Sequence, residues 1–178
     1  MLINFTNDEQ KAIQSWTSPL KEYRYIKSIL KGENIGSLQT IYEIRANDLV
    51  NIFDKYQDNS NDALLYRGDI IESQTEYEEY FSKNVDNIII LEDTILSFTL
   101  SKDIAEFSYK HSDKMINKDT PSILFILENR KSTFLDISEY SHFPNEKEVI
   151  CNQGIKFIIT NIVREPNNHL IFYIDETD

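Results

Sequence analysis

Phe143-Pro144-Asn145-Glu146-Lys147-Glu148-Val149-Ile150 sets two carboxylates two residues apart, after a proline turn and before an apolar pair. Read as a strand over 146–151, the segment sends Glu146 and Glu148 to one face, because side chains alternate along an extended chain. Like charges held side by side cost free energy, so the pair needs a reason. One reason is an edge strand with a solvated acidic face. Another is a paired-carboxylate site acting on a cationic group. The stretch by itself leaves both open.

The surrounding chain has 178 residues, long enough for one domain with a substantial core. Ten Tyr and ten Phe, against only four Gly and four Pro, argue for a packed protein and against linkers or low-complexity segments. A formal charge of −12 opposes general nucleic-acid binding, which needs a basic surface. Cys151 is the only cysteine, so no internal disulfide or zinc cluster is expected, and its apolar setting implies a buried thiol. His142 lacks partners at metal-ligand spacing. The first residues carry no basic stretch followed by a long apolar one, and no apolar run approaches the ~20 residues that span a bilayer. The expectation is a soluble protein, cytoplasmic or delivered to a target cell by a non-classical route, either a full chain or an excised domain.

The first third reads as helical. Thr6-Asn7-Asp8-Glu9 is a helix start, running to about Trp16. Ser18-Pro19 reads as a second start, with Tyr23, Ile26, Ile29 and Leu30 at helical spacing and Gly32 as the stop. A third helix over 37–56 carries Leu38, Ile41, Ile44, Leu49, Ile52 and Phe53 as its core face, and the polar run 57–62 ends it. Ser73 caps a short acidic helix over 76–81. Strands are expected over 88–91, 95–100, 122–127, 133–136, 146–151, 155–163 and 169–175, with one helix over 102–110 between them. On that helix, Phe107 reads as core. Helices first and strands later imply an α+β fold, a single domain over 1–178 with a helical part to about 60 and a mostly β part from about 61. No phosphate-binding glycine loop is present.

Three separated pieces share an order. Leu64-Leu65-Tyr66-Arg67-Gly68 offers an arginine at the end of a buried strand, Leu96-Ser97-Phe98-Thr99-Leu100-Ser101 a strand of alternating hydroxyls, and Glu146-Lys147-Glu148 the carboxylates. In this order they resemble the signature of bacterial mono-ADP-ribosyltransferases of the arginine–serine–glutamate class, closest to the exoenzyme branch. The opening helix through Trp16-Thr17, and the turn and strand 141–150, are also similar to that branch, so the resemblance covers most of the chain. It implies N-terminal helices packed on a two-sheet β core with a split cleft for NAD, which is a substrate, and no metal.

The resemblance also implies roles. Arg67 would bind the pyrophosphate of NAD, which suits the bidentate fork of a guanidinium, and Tyr66 and Gly68 would shape its strand end. Ser97 would hold the catalytic glutamate and contact the nicotinamide ribose, with Thr99 in support. The family's usual Ser-Thr-Ser is Ser97-Phe98-Thr99 here; the alternation survives, and Phe98 is expected to face the core. Glu148 would hold a ribose hydroxyl and stabilise the cationic sugar, while Glu146 would position and deprotonate the acceptor. Glutamate at that position accompanies arginine acceptors in the family, so the expected partner is a protein with an exposed arginine. Phe143 and Tyr140 would belong to the substrate-recognition turn. A toxin, effector or phage-type modifier acting as a monomer fits this reading. An NAD glycohydrolase and a catalytically inactive protein-binding module are the alternatives. Asp69 and Asp93 receive no role.

Overall fold

A computed structural model describes residues 3–57, 63–71, 73–91, 94–110, 121–165 and 168–178. In chain order the elements are α1 (Asn7–Trp16), α2 (Tyr23–Leu30), α3 (Gln39–Lys55), β1 (Leu65–Ile70), α4 (Gln74–Phe81), β2 (Ile88–Ile89) and β3 (Leu96–Thr99). There follow α5 (Lys102–Lys110), β4 (Ser122–Asn129), β5 (Phe134–Asp136), β6 (Glu148–Cys151), β7 (Lys156–Glu165) and β8 (His169–Thr177). The class is α+β, as the order of patterns implied. The chain divides into two compact units, one made of Met1–Asn61, Leu91–Ser97 and Ser132–Gly154, the other of Asp62–Ile90, Phe98–Lys131 and Ile155–Asp178. The polar run 57–62 lies mostly outside the described residues, as does Asp93.

The first unit is built on α1 to α3. Thr6 and Glu9 form a reciprocal capping box: the Thr6 hydroxyl accepts from the Glu9 N–H at 3.4 Å, and Glu9 Oε2 accepts from the Thr6 N–H at 2.7 Å. Glu9 also accepts from Lys55 Nζ at 2.7 Å and from the Tyr56 hydroxyl at 2.8 Å. Burial opposes its charge, but the bonds from Lys55, Thr6 and Tyr56 together hold the carboxyl below its ordinary range. Residues 9, 12, 13 and 16 follow helical spacing and form the buried face of α1.

α2 starts later than Ser18-Pro19 implied. The Ser18 carbonyl accepts from the Lys21 N–H at 2.9 Å, closing a turn, and Lys21 takes φ 61, which no right-handed helix contains. Its end is as expected: Gly32 adopts φ 76, and the Glu33 N–H reaches the Ser28 carbonyl at 2.9 Å in a Schellman closure. In α3 the buried stripe is Ala46, Leu49, Ile52 and Phe53. Leu38, Ile41 and Ile44, expected in the core, are 41%, 52% and 52% exposed. They lie at the N-terminal end of the helix, ahead of the buried stripe that begins only at Ala46. The core joins Ile13, Trp16, Ile26, Leu49, Ile95 and Ile150. In this unit the start of β3 neighbours β6, which pairs antiparallel with β5. Cys151 is buried on β6, its thiol directed at the Leu96 carbonyl at 3.8 Å.

In the second unit the strand order is β2-β7-β8-β4-β1-β3, ending on the second half of β3. β4 runs parallel to β8, and β1 is antiparallel to β4. Six consecutive buried residues open β4, as befits a central strand covered on both faces. Phe125 and Phe172 stack at 5.7 Å, and Tyr80 of α4 meets both rings at 6.1 Å. Burial pushes the Tyr80 phenol up to about 12. α5 packs through Ala105 on Leu124, Ile126 and Ile171. Phe107 was expected in this core but is 58% exposed, because two residues past Ala105 it sits on the far side of the helix.

Candidate active site

The turn before β6 has a different build from the strand expected over 146–151. Phe143-Pro144 opens a single 3-10 turn, Pro144–Glu146, in which the Glu146 N–H donates to the Phe143 carbonyl at 2.9 Å. Lys147 then adopts φ 50, ψ 47, and the strand begins only at Glu148. The two carboxylates are therefore related by a left-handed kink, not by strand alternation. Their proximity is still felt, because the charge of Glu146 opposes ionisation of Glu148.

The turn is tied to the end of α1. The Thr17 hydroxyl donates to the Ile13 carbonyl at 3.1 Å and accepts from the His142 N–H at 3.0 Å. The Ser141 hydroxyl accepts from the Phe143 N–H at 2.9 Å, which fixes the approach to Pro144. Phe143 itself is 42% exposed. Tyr140 points inward: its hydroxyl donates to the Ile3 carbonyl at 2.9 Å, and its ring meets Phe5 edge-on at 5.1 Å. Tyr140 thus props the turn from beneath, while Phe143 stands at the surface.

Glu148 is half-buried and accepts two hydrogen bonds on one oxygen. The Ser97 hydroxyl donates to Oε1 at 2.6 Å, and the Trp16 indole Nε1 donates to the same atom at 3.0 Å. Trp16 Nε1 also lies 3.2 Å from the Ser97 hydroxyl oxygen. Among the described residues no hydrogen bond falls on Oε2. Burial pushes the carboxyl above its ordinary range; the bonds from Ser97 and Trp16 pull the other way, Glu146 adds to the rise, and the Lys27 cation moderates it. Glu146 is exposed as a residue, yet the protein atoms around its carboxyl exclude enough water to push it up as well.

Trp16 and Lys27 received no catalytic role from the sequence. The Lys27 ammonium stands 5.6 Å from the centre of the Trp16 ring and 5.7 Å from that of Tyr23, and the two rings meet edge to face at 6.3 Å. Burial of a tryptophan with only one polar atom was the available signal, because that N–H requires an acceptor.

Arg67, Gly68 and Thr99 belong to the second unit. Arg67 sits within β1 and not at its end, opposite Phe125 of β4, and Gly68 continues the ladder opposite Leu124. Arg67 donates from Nε to Asp69 Oδ2 at 2.7 Å and from Nη2 to Oδ1 at 3.2 Å, a side-on bidentate pair. Asp69, which had no role in the sequence, is thus the arginine's partner two residues along the same strand. Thr99 is buried opposite Tyr66, and its hydroxyl accepts from the Ser101 N–H at 3.1 Å, shaping the entry to α5. Phe98 faces the core against Phe157, as expected.

No protein-family model matches the sequence, and no curated protein does. Solved structures do match. The ADP-ribosyltransferase Vis of Vibrio splendidus, in complex with agmatine, superposes with a TM-score of 0.72 at 16% identity, over 97% of this chain and 75% of that one. The C3 exoenzyme of Clostridium limosum gives 0.67 at 16% identity, over 98% and 87%. Exoenzyme S of Pseudomonas aeruginosa, bound to carba-NAD and in complex with human 14-3-3 protein beta, gives 0.68 at 13%, over 97% and 74%. This chain has the fold of the bacterial ADP-ribosyltransferases.

Proposed function

We propose that this chain transfers ADP-ribose from NAD to the guanidinium of a protein arginine, as a toxin, effector or phage-type modifier. The observation that carries the reading is Glu148, with one carboxylate oxygen held by Ser97 and Trp16 and the other directed to no protein donor among the described residues.

Cleavage of the nicotinamide–ribose bond sends the bonding electrons out with nicotinamide and leaves positive charge on the sugar. A carboxylate fixed beforehand stabilises that charge more than it stabilises the neutral ribose, and so accelerates the step. Oε2 of Glu148 accepts from a ribose hydroxyl, which sets the sugar against the anion. Glu146 takes a proton from the arriving guanidinium, and the freed nitrogen forms the new bond to the ribose C1. Burial raises both carboxyls, which brings Glu146 closer to the range where a base can take a proton from so weak an acid. Arg67 meets the pyrophosphate. The arginine acceptor is supported by Glu146 and by Vis, a protein of the same fold in complex with agmatine, a small guanidinium compound.

The test is incubation with adenylate-labelled NAD and agmatine, followed by mass spectrometry of the product. Wild type is expected to yield ADP-ribosyl-agmatine and Glu148→Ala to yield none. Transfer untouched by that substitution would remove Glu148 from the reaction. Nicotinamide release without any modified acceptor would move the reading to NAD glycohydrolase.

A further inference from the structure

Trp16 is the only tryptophan in the chain. It is 5% exposed at the end of α1, where a phenylalanine or leucine would fill the same apolar space. What those residues lack is an N–H, and this N–H is spent on Glu148 and Ser97 at 3.0 and 3.2 Å. Building on the transferase reading above, we infer that Trp16 is a positioning residue: its indole N–H locks the Glu148 carboxylate and the Ser97 hydroxyl into the one arrangement that presents Oε2 to the ribose.

Three further contacts serve the same end. The Tyr23 ring meets the indole edge to face, and the Lys27 ammonium stands over it. Thr17, the next residue, binds the His142 N–H, so the end of α1 grips both the glutamate's side chain and the turn that leads to it. Lys27 also places a cation near Glu148, opposite in sign to Glu146 on the turn; among the described residues these are the charged groups that act on the carboxylate. A hydrogen bond to an ionised group is stronger than one between neutral groups, and here it acts on orientation as well as charge.

Trp16→Phe keeps the ring and removes the N–H. The expected result for nicotinamide release is a kcat about 10–100-fold lower, a KM for NAD changed by less than about threefold, and an acid limb of the kcat–pH profile moved to higher pH. The limb moves because a donor that favours the charged form is gone. Wild-type kcat and pH profile in Trp16→Phe would overturn the inference, as would a lower kcat with an unmoved acid limb. A second measurement needs no turnover. As the sole indole, Trp16 reports its neighbour directly, so intrinsic fluorescence of the wild type should titrate with a midpoint above the ordinary glutamate range, and Glu148→Gln should abolish that transition. A titration persisting unchanged in Glu148→Gln would also overturn it. Because fluorescence is independent of catalysis, a normal titration in a protein that never cleaves NAD would sink the transferase reading and leave the Trp16–Glu148 contact standing.

Discussion

The Ser97 hydroxyl donates to Glu148 Oε1 at 2.6 Å, joining the first half of β3 to the first residue of β6. A short bond to a carboxylate is among the stronger hydrogen bonds a protein makes. It also favours the charged form of a group that burial pushes toward neutrality. Ser97→Ala should therefore lower kcat for nicotinamide release by about 10–100-fold and shift its acid limb to higher pH. Rates measured across pH 5 to 9 check both effects. A lower rate with an unmoved limb would mean that Ser97 touches only the ribose.

How much of this could be read beforehand depends on how local each signal was. The Ser97–Glu148 hydrogen bond was legible because alternation along β3 and the order of three motifs survive without knowledge of packing. Cys151 and Phe98 were legible as core for the same reason. The kink at Lys147 was not, because lysine carries no preference for positive φ and the kink is imposed by the turn closed at Pro144. Ile41, Ile44 and Phe107 are apolar at helical spacing yet exposed; periodicity names apolar positions but not which part of a helix the rest of the fold covers. Trp16 escaped because a partner 132 residues away in sequence leaves no local trace, and Asp69 because an acid two residues from an arginine does not by itself reveal a side-on pair.

The kink makes a forecast about the division of labour between the two glutamates. Glu146→Gln should retain nicotinamide release within about threefold while losing transfer to agmatine by about 10²-fold or more, the usual worth of a general base. Lys147→Gly, which adopts φ 50 without strain, should preserve both activities. Lys147→Pro, with φ fixed near −65°, should misdirect Glu146 and lose transfer. Parallel assays of nicotinamide release and agmatine modification decide it, and equal loss of both activities in Glu146→Gln would refute the division.

Glu148 also carries a cost that can be measured without substrate. A carboxyl whose folded value lies above its unfolded value binds its proton more tightly in the folded state. Its contribution to stability is full below the unfolded value, about 4.3 for glutamate, and is lost as pH rises through the folded one. At pH 8 the ionised, buried carboxylate therefore weakens the fold. Glu148→Gln keeps an acceptor for Ser97 and Trp16 but has no charge to bury. Its Tm should exceed that of wild type by about 2–4 °C at pH 8, and the difference should shrink toward pH 4. A less stable Glu148→Gln at pH 8 would show that the ionised form is the better-accommodated one. An inactive variant that is more stable than its parent would locate a stability–function trade-off at this atom.

The last expectation concerns Asp69. Its carboxylate engages Arg67 through Nε and Nη2, the side-on edge of the guanidinium. A carboxylate that takes Nε and Nη2 together fixes the plane of the guanidinium, and a fixed plane favours bidentate recognition of a pyrophosphate. Asp69 is thus read as the residue that aims Arg67, not as a rival for it. The pair is partly open to solvent, with side-chain exposures of 19% for Arg67 and 40% for Asp69, so its strength is modest. Asp69→Asn should raise the KM for NAD by about 2–5-fold, corresponding to roughly 0.5–1 kcal/mol, and leave kcat nearly unchanged. Arg67→Lys should raise KM more, because an ammonium cannot offer two parallel donors. Steady-state kinetics on the two variants separate the possibilities. A lower KM in Asp69→Asn would reverse the sign of the argument and make Asp69 a competitor that NAD must displace.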